Sequence, residues 1–360
     1  MFSAADHEFM GQALALAGRG LYTSTPNPRV GCVVVREGAV VGTGWHEKAG
    51  LEHAEVLALK AAGERARGAT LYLNLEPCSH HGRTPPCVDA VIAAGIRRMV
   101  AAVQDPNPKV AGSGFAKLRA AGIAVEQGLR EEEARELNVG FFARMRRGRP
   151  WVRMKIAASL DGRTALANGK SQWITGEAAR ADGHRWRARA CAVLAGFGTV
   201  RDDDPQLNVR GIDTPRQPLK IVVDSKFETS PGARLLKDGK TLVVGAVNDL
   251  KKITALHAMG AETVVIPNER GKVELFKLMQ ELARRELNEI HVEAGTRLNG
   301  SLLQAGVVDE LLVYLAPSLI GDSGRGMFSL PELTELSQAA PLKIREIERL
   351  GTDLRILARI

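Results

Sequence analysis

At 360 residues the chain exceeds one typical domain, and its 45% hydrophobic content supplies two cores. Its formal net charge of +8 would suit a nucleic-acid binder, but the basic residues are scattered and aromatics make up only 4%, too few for single-strand stacking platforms. No stretch approaches a membrane span and the four cysteines form no secreted disulfide framework, which excludes those classes and leaves a soluble, cytoplasmic protein of two domains as the expectation.

The chain opens with Asp6, His7 and Glu8 ahead of a short apolar run, an amphipathic helix rather than a signal peptide. Apolar runs at 30–35, 71–75, 99–103 and 124–126 read as strands, alternating with helices at 52–62 and 87–94. Such alternation predicts an α/β fold. A charged helix is predicted over 131–144. Gly148-Arg149-Pro150 then punctuates the chain and divides it into domains at 1–147 and 148–360. The cluster Arg144, Arg146, Arg147 and Arg149 beside that point reads as a solvated linker.

Within the first half, His53-Ala54-Glu55 is followed by Glu76-Pro77-Cys78 and, after a polar loop, by Cys87. Zinc prefers four tetrahedral ligands, so His53, Cys78 and Cys87 would fill three positions and leave the fourth to water, as in catalytic rather than structural sites. Two thiolates offset the charge of the metal and leave that water less acidified, which makes a nearby base useful. Glu55 is the candidate. The set matches the H-x-E and P-C-x-x-C signature of zinc nucleobase deaminases, with the second half stretched to C-x8-C. Each donor falls at an element end, and Cys87 opens a helix, where a thiolate is favoured. Cys32 and Cys191, in apolar runs, read as inert core thiols.

In the second half, a strand starting at Trp151 is followed by strands at 191–195, 219–223, 241–245, 263–266, 289–293 and 310–316, with the clearest helix at 273–284. Gly196-Phe197-Gly198 lacks the third glycine of a dinucleotide fingerprint, yet marks a turn where backbone can approach a ligand closely. Thr199 and Asp202-Asp203-Asp204 follow it. If 176–190 is helical, Arg180, His184 and Arg187 share one stripe, and Arg187 and Arg210 gain meaning if a phosphate must be gripped by forked guanidinium groups.

Taken together, Pro26-Asn27-Pro28-Arg29-Val30-Gly31, Gly44-Trp45-His46, His53-Ala54-Glu55 and the stretch from Glu76 to Cys87, ending Thr84-Pro85-Pro86-Cys87, resemble the deaminase half of the bifunctional riboflavin-biosynthesis deaminase/reductases. The runs Met154 to Arg163, Ser171 to Thr175, Gly196 to Val200 and Asp203 to Arg210 are similar to the reductase half. The resemblance implies a cytidine-deaminase-like three-layer domain followed by a dihydrofolate-reductase-like α/β domain. It implies zinc on His53, Cys78 and Cys87, proton shuttling by Glu55, and a pyrimidine near Asn27 and His46. It further implies NADPH held by Ala157, Trp173, Thr199, Asp203, Ser225 and Gly295, with Ser171, Arg187, Leu207, Arg210 and Glu293 lining the substrate and its phosphate. Arg297 and Asn299 depart from the small residues expected after the Gly295 turn.

The reaction implied is hydrolytic deamination of 2,5-diamino-6-(5-phosphoribosylamino)pyrimidin-4-one, then NADPH-dependent reduction of the ribosyl group to ribityl. Lys155 and Asp203 both stand as candidates for proton transfer in the second step. A homo-oligomer, dimer or tetramer, acting on a small molecule without nucleic acid or membrane, is expected. The rival is a nucleic-acid or nucleoside cytosine/adenine deaminase with an accessory domain, which would share the zinc set and have no use for NADPH.

Overall fold

The computed structural model describes residues 2–79, 85–237 and 239–360, in two compact units, Met1–Gly148 and Arg149–Ile360. The predicted loop motif over 80–84 lies outside the described residues.

The first unit contains α1 (Ala4–Gly18), β1 (Gly31–Arg36), β2 (Ala39–Trp45), α2 (Ala54–Ala62), β3 (Thr70–Leu73), α3 (Cys87–Ala93), β4 (Arg98–Ala101), α4 (Ser113–Ala120), β5 (Ala124–Gln127), α5 (Glu131–Leu137) and α6 (Val139–Arg147). Its five strands lie in the order β2-β1-β3-β4-β5. Because helices cover both faces, β1 is apolar at successive positions rather than at alternate ones. Cys32 and Val34 pack with α2, α3 and α4, while Val33 and Val35 pack with α1, Phe141 and Phe142. That is the three-layer arrangement. Helix α2 lies so close to β2 that a Cβ at Gly42 would sit 2.2 Å from the Ala58 carbonyl oxygen, and one at Gly44 2.3 Å from that of Ala54.

The helix predicted over 131–144 is two helices, broken at Asn138 (φ −111°, ψ 23°). Its side chain is committed elsewhere: Oδ1 accepts from the Arg29 amide (2.7 Å) and Nδ2 donates to the Arg29 carbonyl (2.9 Å). The arginines beyond it are no plain solvated linker. Arg144 lies over Phe141 and Arg146 over Phe142, while Arg149 grips Asp309 through two 2.8 Å bonds.

The second unit contains β6 (Trp151–Ser159), β7 (Arg163–Ala165), α7 (Glu177–Arg189), β8 (Ala192–Gly196), α8 (Phe197–Asp203), β9 (Leu219–Val223), α9 (Arg234–Lys237), β10 (Thr241–Gly245), α10 (Leu250–Ala258), β11 (Glu262–Val265), α11 (Leu275–Arg284), β12 (Glu289–Val292), α12 (Thr296–Gln304), β13 (Glu310–Ala316), β14 (Arg325–Gly326), β15 (Lys343–Leu350) and β16 (Asp353–Arg359). The main sheet runs β11-β10-β9-β8-β12-β6-β13-β16-β15, parallel from β11 to β13 and closed by an antiparallel hairpin. From β6 the chain winds outward through β8 to β11, then returns to insert β12 between β8 and β6. That reversal is a topological switch point, and ligands of open parallel sheets bind beyond the strand C-termini there.

One side chain near the switch is left unsatisfied. His291 on β12 is buried, its Nε2 lies 3.3 Å from a Glu293 oxygen, and neither ring nitrogen makes a hydrogen bond of good geometry. Burial pushes its pKa down, so the folded state holds it neutral. The unfolded chain takes up a proton below about pH 6.5 and the folded one does not, so this residue subtracts stability as pH falls through that point. His291→Leu is therefore expected to lose less melting temperature than the parent between about pH 7 and 5. Parallel losses in the two proteins would contradict this account.

Candidate functional sites

Three element ends meet in the first unit. His53 is the residue capping the start of α2, in extended conformation and without a side-chain cap bond, so its ring is not committed to the helix end. Cys78 follows β3, and Cys87 is the first residue of α3. The backbone joins the two cysteine segments, since the Cys87 amide donates to Cys78 Sγ (3.3 Å) and the Val88 amide to the Cys78 carbonyl (3.2 Å). Cys78 Sγ is 3.5 Å from Cys87 Sγ and 3.7 Å from His53 Nδ1, which is 2.8 Å from Cys87 Sγ. Among the described residues this is the one group of three or more metal-donor side chains, with donor atoms within 4.8 Å of one another.

The donor set suits zinc. Two sulfurs held about 2.3 Å from one tetrahedral ion lie roughly 3.7 Å apart, which the observed separation approaches. The neighbouring Cys87 thiol, with His53 beside it, holds Cys78 down toward thiolate at about 4, and the same sulfur contact pushes Cys87 up. A divalent cation favours both cysteines as thiolates.

Glu55 lies in the first turn of α2, buried, with its carboxyl in hydrogen-bonding reach of Cys87. Burial pushes its pKa up. His46 stands edge-on to His53, ring centres 5.2 Å apart. Its Nδ1 meets the Glu52 carbonyl (3.1 Å) and must therefore be protonated, so its Nε2 accepts from Asn27 Nδ2 (3.0 Å). The structure thus brings all six sequence-predicted residues of this half together.

The sequence reading missed what holds them. The Glu76 carboxylate accepts four amides, from Asp105, Gly112, Gly114 and Phe115, at 2.9–3.3 Å, and so ties the Pro77-Cys78 turn to the start of α4. Asn74 bridges Gly31 and Arg29, fixing the approach to Asn27. Asp105 also escaped notice. Burial, with Glu76 and Cys78 close by, pushes its carboxyl up to about 7. The Asp105-Pro106-Asn107-Pro108 turn was the available signal, because Asp and Asn between prolines build a fixed polar corner.

In the second unit the predicted residues collect along the C-terminal ends of the parallel strands. Ala157 lies on β6, Thr199 in the first turn of α8, Asp203 at its end, Ser225 beyond β9, and Gly295 at the start of α12. Cβ atoms at Gly198 and Gly295 would meet nothing within 4 Å, so both turns leave space above the sheet. Those two helix starts follow the neighbouring strands β8 and β12, at the C-terminal edge where the switch-point rule puts a ligand. Asn299, unexpected after such a turn, faces inward and donates to the Met327 carbonyl (3.2 Å). Trp173 is 70% exposed, with the Arg180 guanidinium 4.9 Å from its ring. Ser171 lies in the same loop, between β7 and α7.

Arg187 and Glu293 do not both face outward. The Arg187 fork closes on the Glu293 carboxylate, through Nε to Oε1 and Nη2 to Oε2 (2.7 Å), and its Nη1 donates to the Asn208 carbonyl (3.0 Å). Arg210 is more exposed and, among the described residues, its side chain meets only neutral partners, Gln206 and Asn208. Leu207 is buried with φ +51°.

Two family profiles match the sequence: one described as the cytidine and deoxycytidylate deaminase zinc-binding region over residues 3–103, the other as the RibD C-terminal domain over residues 150–356. The chain belongs to the RibD family. It is 48% identical to the riboflavin biosynthesis protein RibD of Escherichia coli (strain K12), over 97% of this chain and 98% of that protein. It is 45% identical to that of Haemophilus influenzae over 99% of this chain and 97% of that protein. Among solved structures, form 1 of Acinetobacter baumannii RibD has a TM-score of 0.92 at 42% identity, covering 99% of this chain and 98% of that one. A diaminohydroxyphosphoribosylaminopyrimidine deaminase/5-amino-6-(5-phosphoribosylamino)uracil reductase from Thermotoga maritima has a TM-score of 0.87 at 31% identity, with the same coverage. RibD-family likeness across both halves makes this chain a zinc-dependent deaminase and NADPH-dependent reductase of riboflavin biosynthesis, and disfavours the rival nucleic-acid deaminase. No helix among the described residues is long and apolar enough to cross a membrane.

Proposed function

We propose that Met1–Gly148 deaminates 2,5-diamino-6-(5-phosphoribosylamino)pyrimidin-4-one and that Arg149–Ile360 reduces the ribosyl group of the product to ribityl with NADPH. The convergence of His53, Cys78 and Cys87 beside a buried Glu55 carries the first half of this reading. Those three residues would hold zinc, which would supply a Lewis acid that polarises water. Glu55, kept out of bulk solvent and with its pKa raised, would take a proton from the attacking water and return it to the departing amine. Asn27, its amide orientation locked by His46, presents Oδ1 to a pyrimidine N–H.

In the second unit, Ala157, Trp173, Thr199, Asp203, Ser225 and Gly295 would hold NADPH, which supplies the hydride. Ser171, Leu207 and the joined pair Arg187–Glu293 form the wall of the substrate pocket, with Arg210 turned to the phosphate. Of the two candidates for proton transfer, Lys155 is favoured over Asp203. Its amine has no hydrogen-bond partner among the described residues and lies 5.9 Å from the Tyr314 ring, and burial lowers its pKa from the usual lysine value. Such an amine can exchange a proton at the ribose end of the substrate.

A homo-oligomer, dimer or tetramer, is part of the same reading. It is supported by the outer edge of β15, which pairs with no strand among the described residues, and by exposed Ile344 and Ile347 on that strand, a combination that invites a second chain. The cytoplasm is the proposed compartment, since no disulfide joins the four cysteines among the described residues.

The test is incubation of the purified full chain with the diaminopyrimidine phosphate, following product mass. Without NADPH the amine-to-oxygen exchange alone is expected; with it, the product gains a hydride and a proton besides. No exchange in the zinc-loaded protein would overturn the reading.

A further inference from the structure

The two guanidinium groups of the reductase pocket differ in what remains for a ligand. Arg187 already has its charge paired by Glu293 and donates to the Asn208 carbonyl besides, whereas Arg210 has no ion pair among the described residues: its Nη1 donates to Asn208 Oδ1 (2.6 Å) and Gln206 Oε1 (3.3 Å). A positive charge without a carboxylate is the one a phosphate gains most from meeting.

The segment carrying it is held residue by residue. Leu207 sits in the left-handed region (φ +51°), which leucine rarely adopts unless its surroundings impose it. The Asn208 carbonyl is bound by Arg187. Val209 is clamped by the Gln217 amide, which accepts from its N–H (2.7 Å) and donates to its carbonyl (3.2 Å). Arg210 is held by a side chain from α7: its N–H donates to His184 Nδ1 at 3.2 Å.

Acceptance at Nδ1 requires a neutral ring with its proton on Nε2. The surroundings enforce this. Half-burial, then the positive charges of Arg187, Arg210 and Lys155, hold the imidazole down at about 4, with Glu293 the opposing charge. His184 is thus an acceptor throughout the neutral range, and it is the last of four successive restraints on residues 207–210.

We propose that His184 is a positioning residue of the reductase step, fixing the backbone of Arg210 so that its unpaired guanidinium is already in place for the substrate's phosphate. The inference rests on the reading of Arg210 as the phosphate contact. Losing the pin leaves the charge but adds the ordering of Arg210 to each binding event.

The test is steady-state reductase kinetics of the full chain at saturating NADPH, with the deaminated intermediate supplied with and without its 5'-phosphate. His184→Ala is expected to raise KM for the phosphorylated form about tenfold, with kcat within about twofold, and to leave the dephosphorylated form unaffected. His184→Asn, whose Oδ1 can accept the same amide, should restore most of the loss. Arg210→Ala should erase the preference for the phosphorylated form. Deamination by the same preparations reports that the chain is folded. Equal KM effects on both substrates, a loss confined to kcat, or failure of His184→Asn to rescue would overturn the pin. If Arg210→Ala keeps the phosphate preference, the reading of Arg210 falls and the pin with it. If Arg210→Ala loses the preference and His184→Ala keeps it, only the pin falls.

Discussion

Glu55→Gln is expected to lower deamination by about a thousandfold while zinc stays bound and reduction of supplied intermediate is unchanged. The size follows from the role: a positioned carboxyl that relays a proton contributes roughly 10²–10⁴ in rate. Glu55 is not one of the three converging donors, so the metal set His53, Cys78 and Cys87 is intact in the variant. Glutamine has nearly the same shape and keeps a hydrogen-bonding oxygen toward Cys87, so the buried pocket at the start of α2 need not repack. It cannot accept and return a proton. Metal analysis, ammonia release and NADPH oxidation on the same preparation separate the alternatives. Loss of zinc would make Glu55 structural, and loss of both activities would show that the two chemistries are not independent.

The zinc cluster was legible because each donor stands at a punctuation mark of the chain. His53 precedes a helix, Cys78 follows a strand, and Cys87 opens a helix after two prolines. Local grammar positioned them. The strands at β1, β8, β9, β10 and β13 were legible for a similar reason, since parallel or doubly covered strands are near-continuous apolar runs. Strand β2 was not, because Gly42 and Gly44 erase its side-chain pattern. Those glycines answer to the backbone of α2 rather than to any neighbour in sequence. Nor was the β15–β16 hairpin, whose Lys343–Leu350 strand is charged and exposed as edge strands tend to be. The break at Asn138 was hidden because its cause lies 109 residues away, at Arg29. The fork of Arg187 was visible in the residue type, but its acceptor lies 106 residues further on, which no periodicity encodes.

That acceptor changes what Arg187 does. On sequence it reads as a phosphate ligand, yet its side chain and that of Glu293 are each only 16% exposed and closed on one another in a two-bond fork. Burial alone would push the Glu293 carboxyl up; the Arg187 guanidinium reverses that and holds it well below the usual carboxylate range. Removing one partner leaves the other buried without its counter-charge, and such losses amount to about 3–5 kcal/mol. Arg187→Met is therefore expected to destabilise the second unit by about that much, and Glu293→Leu by a comparable amount. The double variant should lose less than the sum, because neither charge is then orphaned. Denaturant unfolding of the full chain followed by tryptophan fluorescence reports mainly on this unit, since three of the four tryptophans, Trp151, Trp173 and Trp186, lie in Arg149–Ile360 and only Trp45 lies in Met1–Gly148. A strictly additive double variant would deny the coupling. Near-parental stability of Arg187→Met, joined to a rise in KM confined to the phosphorylated substrate, would return Arg187 to the phosphate site and require the fork to open when substrate arrives.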